Sequence, residues 1–279
     1  MELEQKIDKT LEILKKGEGL ALSLNPELGY NVAFSGGKDS QVMYALVKMA
    51  GVKHHAQYSV CGIDSPTNIY FIRENYPEVE FMHPKEKFIA LVRKKGLPTM
   101  QRRFCCERTK EWLGKGEVVL TGVRAEESRR RAAYAQIQVI SRRREHQGKD
   151  KGRSEEWLQQ VEHNCIKGQD RVMIHPILNW TENEVWEFIK TRGLPVNPCY
   201  ANAGRVGCMF CPFASRAQIE MYEKLFPKFK KAVINAVGRY WKTQNEHYLS
   251  SPSEYYEWWK SRKSVSDFLQ MRHCVPLND

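Results

Sequence analysis

The chain has 279 residues, 42% of them hydrophobic and 28% charged, which allows one large domain, or one domain with an appendage, and a core that needs no disulfides. No apolar run approaches the roughly 20 residues that cross a bilayer, and the N-terminus lacks a signal peptide, so we expect a cytoplasmic protein and exclude a membrane span, a secreted mini-protein, a repeat array and a disordered tail. A net charge of +11 favours anionic partners such as nucleotides or nucleic acid.

Short apolar strands alternate with amphipathic helices between residues 30 and 190. Helices are predicted at 2–16, 41–50, 67–75, 86–95, 107–114 and 181–192, and strands at 31–34, 55–61, 79–82, 117–121 and 171–175. This alternation predicts an α/β fold with a parallel sheet and helices on both faces. From residue 215 onward the pattern indicates helices rich in aromatic residues. We expect an N-terminal helix (1–27), a nucleotide-binding domain (28–214) and a helical C-terminal extension (215–279).

The segment Ser35–Ser40 (SGGKDS) lies between the first strand and the following helix. Its glycines allow a tight turn whose amides form an anion nest, and the helix adds its N-terminal positive charge. The hydroxyls of Ser35 and Ser40 and the ammonium of Lys38 are further donors for a phosphate. Asp39 is interpreted as a helix-start residue or a carboxylate on the magnesium side. The segment lacks the Walker A pattern, so it predicts a different kind of phosphate loop.

Arginines follow the strand at 117–121, where open α/β sheets bind ligands. They are Arg124, Arg129, Arg130 and Arg131, and their planar guanidinium groups suit phosphate or sulfate oxygens. Residues 124–153 carry ten basic and four acidic side chains. The basic loop at 142–153 is either a solvated surface or a contact for DNA or RNA.

Eight cysteines are present: Cys61, Cys105, Cys106, Cys165, Cys199, Cys208, Cys211 and Cys274. Two pairs are close in sequence, Cys105 with Cys106 and Cys208 with Cys211. Close pairs in a cytosolic enzyme more often bind a metal or do redox chemistry than form disulfides. Four thiolates suit an iron–sulfur cluster or a tetrahedral zinc, and spacing alone does not distinguish them. Cys199 is an alternative ligand.

Five motifs in order resemble a known family. Ser35–Ser40 is similar to the PP-loop of the ATP pyrophosphatases, and the other four are similar to motifs of their PAPS (phosphoadenosine phosphosulfate) reductase-like branch. These four are Cys105–Lys110, Thr121–Arg129, His175–Pro198 and Gly207–Pro212. The resemblance covers roughly residues 28–214 and is nearest to the sulfur-transferring DNA-phosphorothioation type.

This resemblance implies a Rossmann-like fold of the adenine nucleotide alpha hydrolase type. It implies nucleotide contacts from Ser35, Gly36, Gly37, Lys38, Asp39, Ser40, Asp64, Gly122, Arg124, Ser128 and Arg129. Lys38, Asp39 and Arg124 are the expected catalytic residues. The implied cofactors are ATP (or APS or PAPS), Mg²⁺ and a [4Fe-4S] cluster on Cys105, Cys106, Cys208 and Cys211, with zinc as the alternative.

The resemblance leaves the reaction open between two enzymes. Lys38 and Asp39 are typical of enzymes that split ATP between the α- and β-phosphates, so the first interpretation is ATP-dependent activation of an acceptor. Sulfur, carried as a persulfide or by the cluster and supplied by a partner such as a cysteine desulfurase, then displaces AMP. The alternative is an APS/PAPS reductase that releases sulfite, although Cys274 lacks the Glu-Cys-Gly-x-His context of those enzymes. A third hypothesis is a nucleic-acid-binding or partner module with a degenerate nucleotide site.

Overall fold

The structure is a computed structural model that describes residues 2–140, 155, 158, 171–244 and 248–273. The basic loop predicted at 142–153, Cys165 and Cys274 lie outside the described residues. The chain divides into two units. Unit 1 comprises Met1–Ser59, Pro66–Met82 and Leu113–Val206, and unit 2 comprises Val60–Ser65, His83–Trp112 and Gly207–Asp279.

Unit 1 contains a six-stranded sheet in the order β3-β2-β1-β4-β6-β5. Its strands are β1 (Tyr30–Ala33), β2 (His54–Ser59), β3 (Glu80–Met82), β4 (Val118–Thr121), β5 (Ile137–Ile140) and β6 (Arg171–Ile174). Neighbouring strands pair in parallel except β5, which runs antiparallel to β6. The predicted α/β fold is confirmed, and the antiparallel edge strand β5 is an addition that the sequence did not predict.

Unit 1 also contains α-helices. They are α1 (Leu3–Leu24), α2 (Lys38–Ala50), α3 (Pro66–Asn75), α6 (Arg129–Ala132), α7 (Glu182–Thr191) and α8 (Cys199–Ala203). A capping box between Thr181 and Glu184 starts α7, as the sequence predicts. Helix α1 continues past its predicted end, and Gly17, Leu20 and Ala21 in this extension are buried. Gly17 lets Tyr30 approach closely, and the Tyr30 hydroxyl donates to Leu14 O at 2.7 Å.

Unit 2 is built from helices and the loops that connect them. They are α4 (Phe88–Lys95), α5 (Phe104–Thr109), α9 (Arg216–Leu225), α10 (Pro227–Trp241), α11 (Pro252–Ser261) and α12 (Val265–His273). Helix α5 starts three residues before its predicted position because Phe104 and Cys105 are buried on its inner face. The aromatic side chains Tyr222, Tyr256 and Trp259 are also buried, so they form core rather than a base-stacking surface. Among the described residues, no helix is both long and apolar enough to cross a lipid bilayer.

A buried histidine couples the stability of unit 1 to pH. His175 follows β6 and is 0% exposed. Its Nδ1 lies 2.6 Å from Thr121 Oγ1, and its Nε2 lies 3.1 Å from Gln138 Oε1. Burial, together with the charge of Arg131, lowers the pKa of His175 to about 4. The folded chain therefore keeps the ring neutral down to about pH 4, whereas the unfolded chain takes up a proton below about pH 6.5.

We expect His175 to reduce the free energy of unfolding by about 2 kcal/mol when the pH falls from 7 to 5, because only the unfolded chain gains its proton there. Urea denaturation at both pH values measures this loss for the parent and for His175→Gln, which keeps polar atoms but does not titrate. The loss in the parent should exceed that in the variant by about 2 kcal/mol. Equal losses would show that His175 does not carry this pH dependence.

Candidate functional site

The Ser35–Ser40 segment forms the turn between β1 and α2. Gly36 has φ +76°, and a Cβ there would lie 2.4 Å from Asn68 Oδ1. Only glycine fits this position, because the left-handed backbone and the contact with Asn68 both exclude a side chain. Gly37 is the N-cap of α2, and the helix begins at Lys38. The sequence therefore folds into a tight, glycine-dependent turn at the start of a helix.

The three carbonyl oxygens of residues 35–37 all accept hydrogen bonds from within unit 1. Ser35 O accepts a hydrogen bond from Asn68 Nδ2 at 3.1 Å. Gly36 O accepts from Asn197 Nδ2 at 2.9 Å and from Gln41 Nε2 at 3.2 Å. Gly37 O accepts from Gln41 N at 3.0 Å and from Ser40 Oγ at 2.9 Å. Asn197 is 0% exposed, and its Nδ2 also lies 2.7 Å from Asn68 Oδ1. The carbonyl oxygens of the turn therefore already have donors, so they do not compete with an incoming anion for the free amide N–H groups.

Half of the six backbone N–H groups of the turn have partners: Ser35 N donates to Ser40 Oγ, Gly37 N to Ser35 Oγ and Lys38 N to Tyr200. Within the described part of the chain, the amides of Gly36, Asp39 and Ser40 make no hydrogen bond. The positive end of the α2 dipole lies at the same residues. Amides without acceptors at a helix N-terminus form a binding site for phosphate or another anion.

The Tyr200 hydroxyl accepts a hydrogen bond from Lys38 N at 2.8 Å. The Tyr200 ring packs edge-on against Trp186. Lys38 Nζ lies 5.8 Å from the centroid of the Tyr200 ring. Burial raises the pKa of Tyr200 to about 12, so the phenol stays protonated. Tyr200 is not among the residues predicted from the sequence, where its position beside Pro198 and Cys199 is the available signal.

Arg124 is 2% exposed and lies among carboxylates at the start of α2. Its Nε donates to Asp39 Oδ1 at 2.6 Å, and its Nη1 donates to Glu126 Oε2 at 2.7 Å. Lys38 Nζ lies 3.3 Å from Asp39 Oδ2 and 3.7 Å from Glu182 Oε1. Asp39 is thus held by two cations, and Arg124 fixes its orientation.

Three other predicted residues lie near this group or next to it in sequence. A Cβ on Gly122 would lie 2.8 Å from the Asp39 carbonyl carbon, so Gly122 permits β4 to approach the first turn of α2. Ser128 caps α6, where its Oγ accepts from Arg131 N at 3.2 Å. Arg129 is the first residue of α6 and is exposed. Asp64, also predicted at the nucleotide, belongs to unit 2 and forms an isolated bridge with Cys208.

Three of the four predicted cysteine ligands, Cys105, Cys106 and Cys208, lie close enough in unit 2 to shift one another's pKa. The Cys105 thiol and the charges of Arg103 and Lys110 lower the pKa of Cys106 to about 5. The hydrogen bond to Cys106, with burial and with the charge of Cys208, raises the pKa of Cys105. Arg103 Nη2 lies 3.5 Å from Cys106 Sγ. Cys211 Sγ, the fourth predicted ligand, accepts a hydrogen bond from Phe213 N at 3.5 Å.

Cys61 is a neighbour of this group that the sequence analysis did not select. The ligand atoms of Cys61, Asp64 and Cys208 lie within 4.8 Å of one another. A hydrogen bond from the Cys61 thiol, with the charge of Lys110, lowers the pKa of Cys208 to about 7, and the same bond and burial raise the pKa of Cys61. The cysteine thiolates are soft ligands, and Lys110 and Arg103 lie close to them. This combination suits a metal bound by thiolates.

Comparison with known proteins identifies the family. A model of the phosphoadenosine phosphosulfate reductase domain matches residues 29–214, which is about two thirds of the chain. The chain belongs to the phosphoadenosine phosphosulfate reductase family. The predicted resemblance to the PAPS reductase-like branch is confirmed at the level of the family.

Two curated relatives and one solved structure extend this result. An uncharacterised protein of Methanocaldococcus jannaschii is 24% identical over 88% of this chain and 56% of its own length. Sulfate adenylyltransferase subunit 2 of a Sulfurovum species is 25% identical over 71% of this chain and 66% of its own length. The chain thus spans between about half and two thirds of these relatives. Candida glabrata FMN adenylyltransferase, solved with FAD and inorganic pyrophosphate, shares the fold with a TM-score of 0.50 and 16% identity, covering 74% of this chain and 63% of that one.

Proposed function

We propose that this member of the PAPS reductase family binds ATP at Ser35–Ser40 and releases pyrophosphate to activate an acceptor for sulfur transfer. The hydrogen bonding of the turn supports this proposal most directly. The carbonyl oxygens of residues 35–37 already accept hydrogen bonds, while the amides of Gly36, Asp39 and Ser40 have no acceptor in the described residues. Such a turn favours an anion, and a bound triphosphate supplies up to four charges for it to compensate.

The chain's own residues support a displacement at the α-phosphorus. An acceptor oxygen attacks phosphorus, the bond to the β-phosphate oxygen breaks, and pyrophosphate leaves with the electron pair. Lys38 and the amides of the turn then stabilise the charge on the leaving group, which is where positioned donors reduce a barrier most. A sulfide-level nucleophile next replaces AMP on the acceptor.

Arg124 and Tyr200 position these groups. Arg124 orients the Asp39 carboxylate, which in turn lies 3.3 Å from Lys38 Nζ and limits where that ammonium moves. The protonated Tyr200 hydroxyl accepts from Lys38 N and keeps its own proton to donate to a phosphate oxygen. Asp39 itself does not fit a role as a Mg²⁺ ligand in this arrangement, because both of its oxygens contact cations. The helix-start interpretation of Asp39 therefore fits better.

The cysteines of unit 2 fit a thiolate-bound cluster. Cys105, Cys106 and Cys208 would hold it, with Cys211 or Cys61 as the fourth ligand, and Lys110 and Arg103 would offset its negative charge. A [4Fe-4S] cluster supplies one-electron redox chemistry and a site at which sulfur binds. The soft donor set is equally compatible with zinc.

Pyrophosphate release tests the proposed activity. We expect Lys38→Met to reduce the rate of pyrophosphate release from ATP by about 100-fold or more, because it removes a charge that stabilises the leaving group. Lys48→Met on the exposed face of the same helix is the control and should keep the parent rate. The assay contains sulfide and is run with and without oligonucleotides. Sulfite release from APS or PAPS with a thiol donor, and no pyrophosphate release from ATP, would instead establish the reductase alternative.

Metal content tests the cysteine site. Protein purified without oxygen should absorb near 400 nm and contain iron and inorganic sulfide. Cys106→Ser should lose most of the iron, whereas Cys199→Ser, a buried cysteine of unit 1, should retain it. Cys61→Ser and Cys211→Ser then decide which of the two supplies the fourth ligand. A colourless protein that contains zinc would refute the cluster and leave the nucleotide site unaffected.

A further inference from the structure

A cationic pocket lies in unit 2 next to the cysteine helix α5. It has a volume of about 710 Å³, and its charged lining consists of Lys94, Lys95, Arg102, Arg103, Glu107 and Glu111. Four cations against two carboxylates leave an excess of positive charge. Lys94, Arg102 and Arg103 are exposed to solvent, where Lys94 forms a surface ion pair with Glu86. Such exposed pairs are weak, so a phosphate can compete for the lysine. All residues that line the pocket belong to unit 2, whereas the Ser35–Ser40 turn belongs to unit 1.

The positive charge continues beyond the pocket. Residues 83–112 carry nine basic and three acidic side chains, the same net excess as the 124–153 segment on which the sequence analysis focused. Glu86, one of these acids, is paired with Lys94, and that hydrogen bond with the nearby charges of Arg108 and Lys95 lowers its pKa. The cations of α4 and α5 therefore share one surface. A small anion would use only part of it, whereas a chain of phosphates would use all of it.

Aromatic rings accompany the charges. Tyr240 lines the pocket, and Lys95 Nζ lies 5.5 Å from the centroid of the Phe104 ring. Phe213 is 48% exposed, and the Arg103 guanidinium lies 5.1 Å from its centroid. An exposed aromatic side chain beside a cationic groove is the combination that binds single strands, because phosphates pair with the cations while bases stack on the rings.

We propose that this pocket binds a single-stranded nucleic acid, with its phosphates on Lys94 and Arg102 and a base on Phe213. This inference rests on the proposed function, for which it identifies the acceptor class. Arg103 connects the two parts of unit 2, since it lines the pocket and also contacts Cys106 Sγ at 3.5 Å. An acceptor strand in the pocket would thus lie against the helix that carries the cysteine pair.

Fluorescence anisotropy with labelled 12-nucleotide DNA and RNA strands tests the proposal on the full chain. We expect Lys94→Gln with Arg102→Gln to weaken binding about tenfold and to reduce the slope of log affinity against log salt by about 1.4, the value for two lost phosphate contacts on a single strand. The control, Lys228→Gln with Lys231→Gln, removes the same charge from exposed positions of α10 and should match the parent. Phe213→Ala should weaken binding at least about fivefold without changing the salt slope.

The outcomes separate this inference from the proposed function. Equal weakening by both double variants, stronger binding of duplexes than of single strands, or no binding of any strand at low salt would overturn the inference. ATP affinity, measured by calorimetry on the same proteins, should be unchanged in all three variants. Loss of strand binding together with intact ATP binding would leave the proposed nucleotide site standing. Absence of ATP binding in the parent would refute the proposed function, and the strand measurement would still test the pocket.

Discussion

Gly36→Ala should abolish measurable nucleotide binding, with ATP affinity reduced by at least about 100-fold. The new Cβ would lie 2.4 Å from Asn68 Oδ1, an atom already fixed by Asn197. A left-handed backbone adds about 1 kcal/mol of strain for any residue other than glycine. Relieving the contact must move the turn or break the buried asparagine pair, and each broken buried hydrogen bond costs about 1–3 kcal/mol. Isothermal titration calorimetry with ATP measures the effect.

Gly51→Ala is the matched control for this substitution. Gly51 has φ +68°, close to that of Gly36, but a Cβ there meets no atom within 4 Å. The control therefore carries the same backbone strain without the contact, and it should lose about 1 kcal/mol of stability while keeping parent ATP affinity. If the two variants bound ATP equally well, the geometry of the turn would not be what recognises the nucleotide.

Arg124→Ala should destabilise the chain by about 3 kcal/mol and reduce pyrophosphate release by at least about 100-fold. Removing the guanidinium leaves Asp39 without its closest cation in a largely buried position, which is a costly way to break an ion pair. Asp39 then loses its orientation and Lys38 loses a fixed neighbour, so the activity falls as well. Urea denaturation gives the stability and an ATP assay gives the rate.

Two further variants complete this test: Arg192→Ala is a control at an exposed arginine, and Arg124→Lys separates the orientation of the side chain from its charge. Arg192→Ala removes an exposed arginine that pairs with Glu4 at 3.4 Å, and it should change stability by less than about 1 kcal/mol. Arg124→Lys keeps the charge but not the guanidinium that contacts Asp39 and Glu126 together, so it should recover part of the stability but little of the activity. Full activity in Arg124→Lys would show that charge alone suffices.

The sequence predicts the position of the Ser35–Ser40 turn because adjacent residues contain the signals for it. Glycines, a strand and a helix lie in direct succession around Ser35–Ser40, so the turn can be read from adjacent residues. Strand β5 was not predicted because its four residues, IQVI, do not alternate strictly between apolar and polar. Arg124 was expected to meet the ligand directly, whereas the structure shows it buried against Asp39, 85 positions away, a contact that no local pattern contains.

The missing parts of the site depend on long-range contacts. Asn197 approaches the turn from 161 residues away and Tyr200 from 162 residues away, and neither belongs to a spacing that indicates a phosphate site. Cys61 was not selected as a ligand because its neighbour Cys208 is far along the chain. The pocket of unit 2 was missed for a related reason: its cations are divided between two short segments, and only the fold places Tyr240 beside them.

A crystal structure with AMPCPP, a non-hydrolysable ATP analogue, tests the central claim most directly. We expect the β- and γ-phosphate oxygens to lie within hydrogen-bonding distance of the Gly36, Asp39 and Ser40 amides, with Lys38 and Tyr200 in contact with the same phosphates. Carbonyl oxygens 35–37 should keep their present partners. Analogue bound elsewhere on the chain, or a turn that stays empty at saturating analogue, would contradict the account.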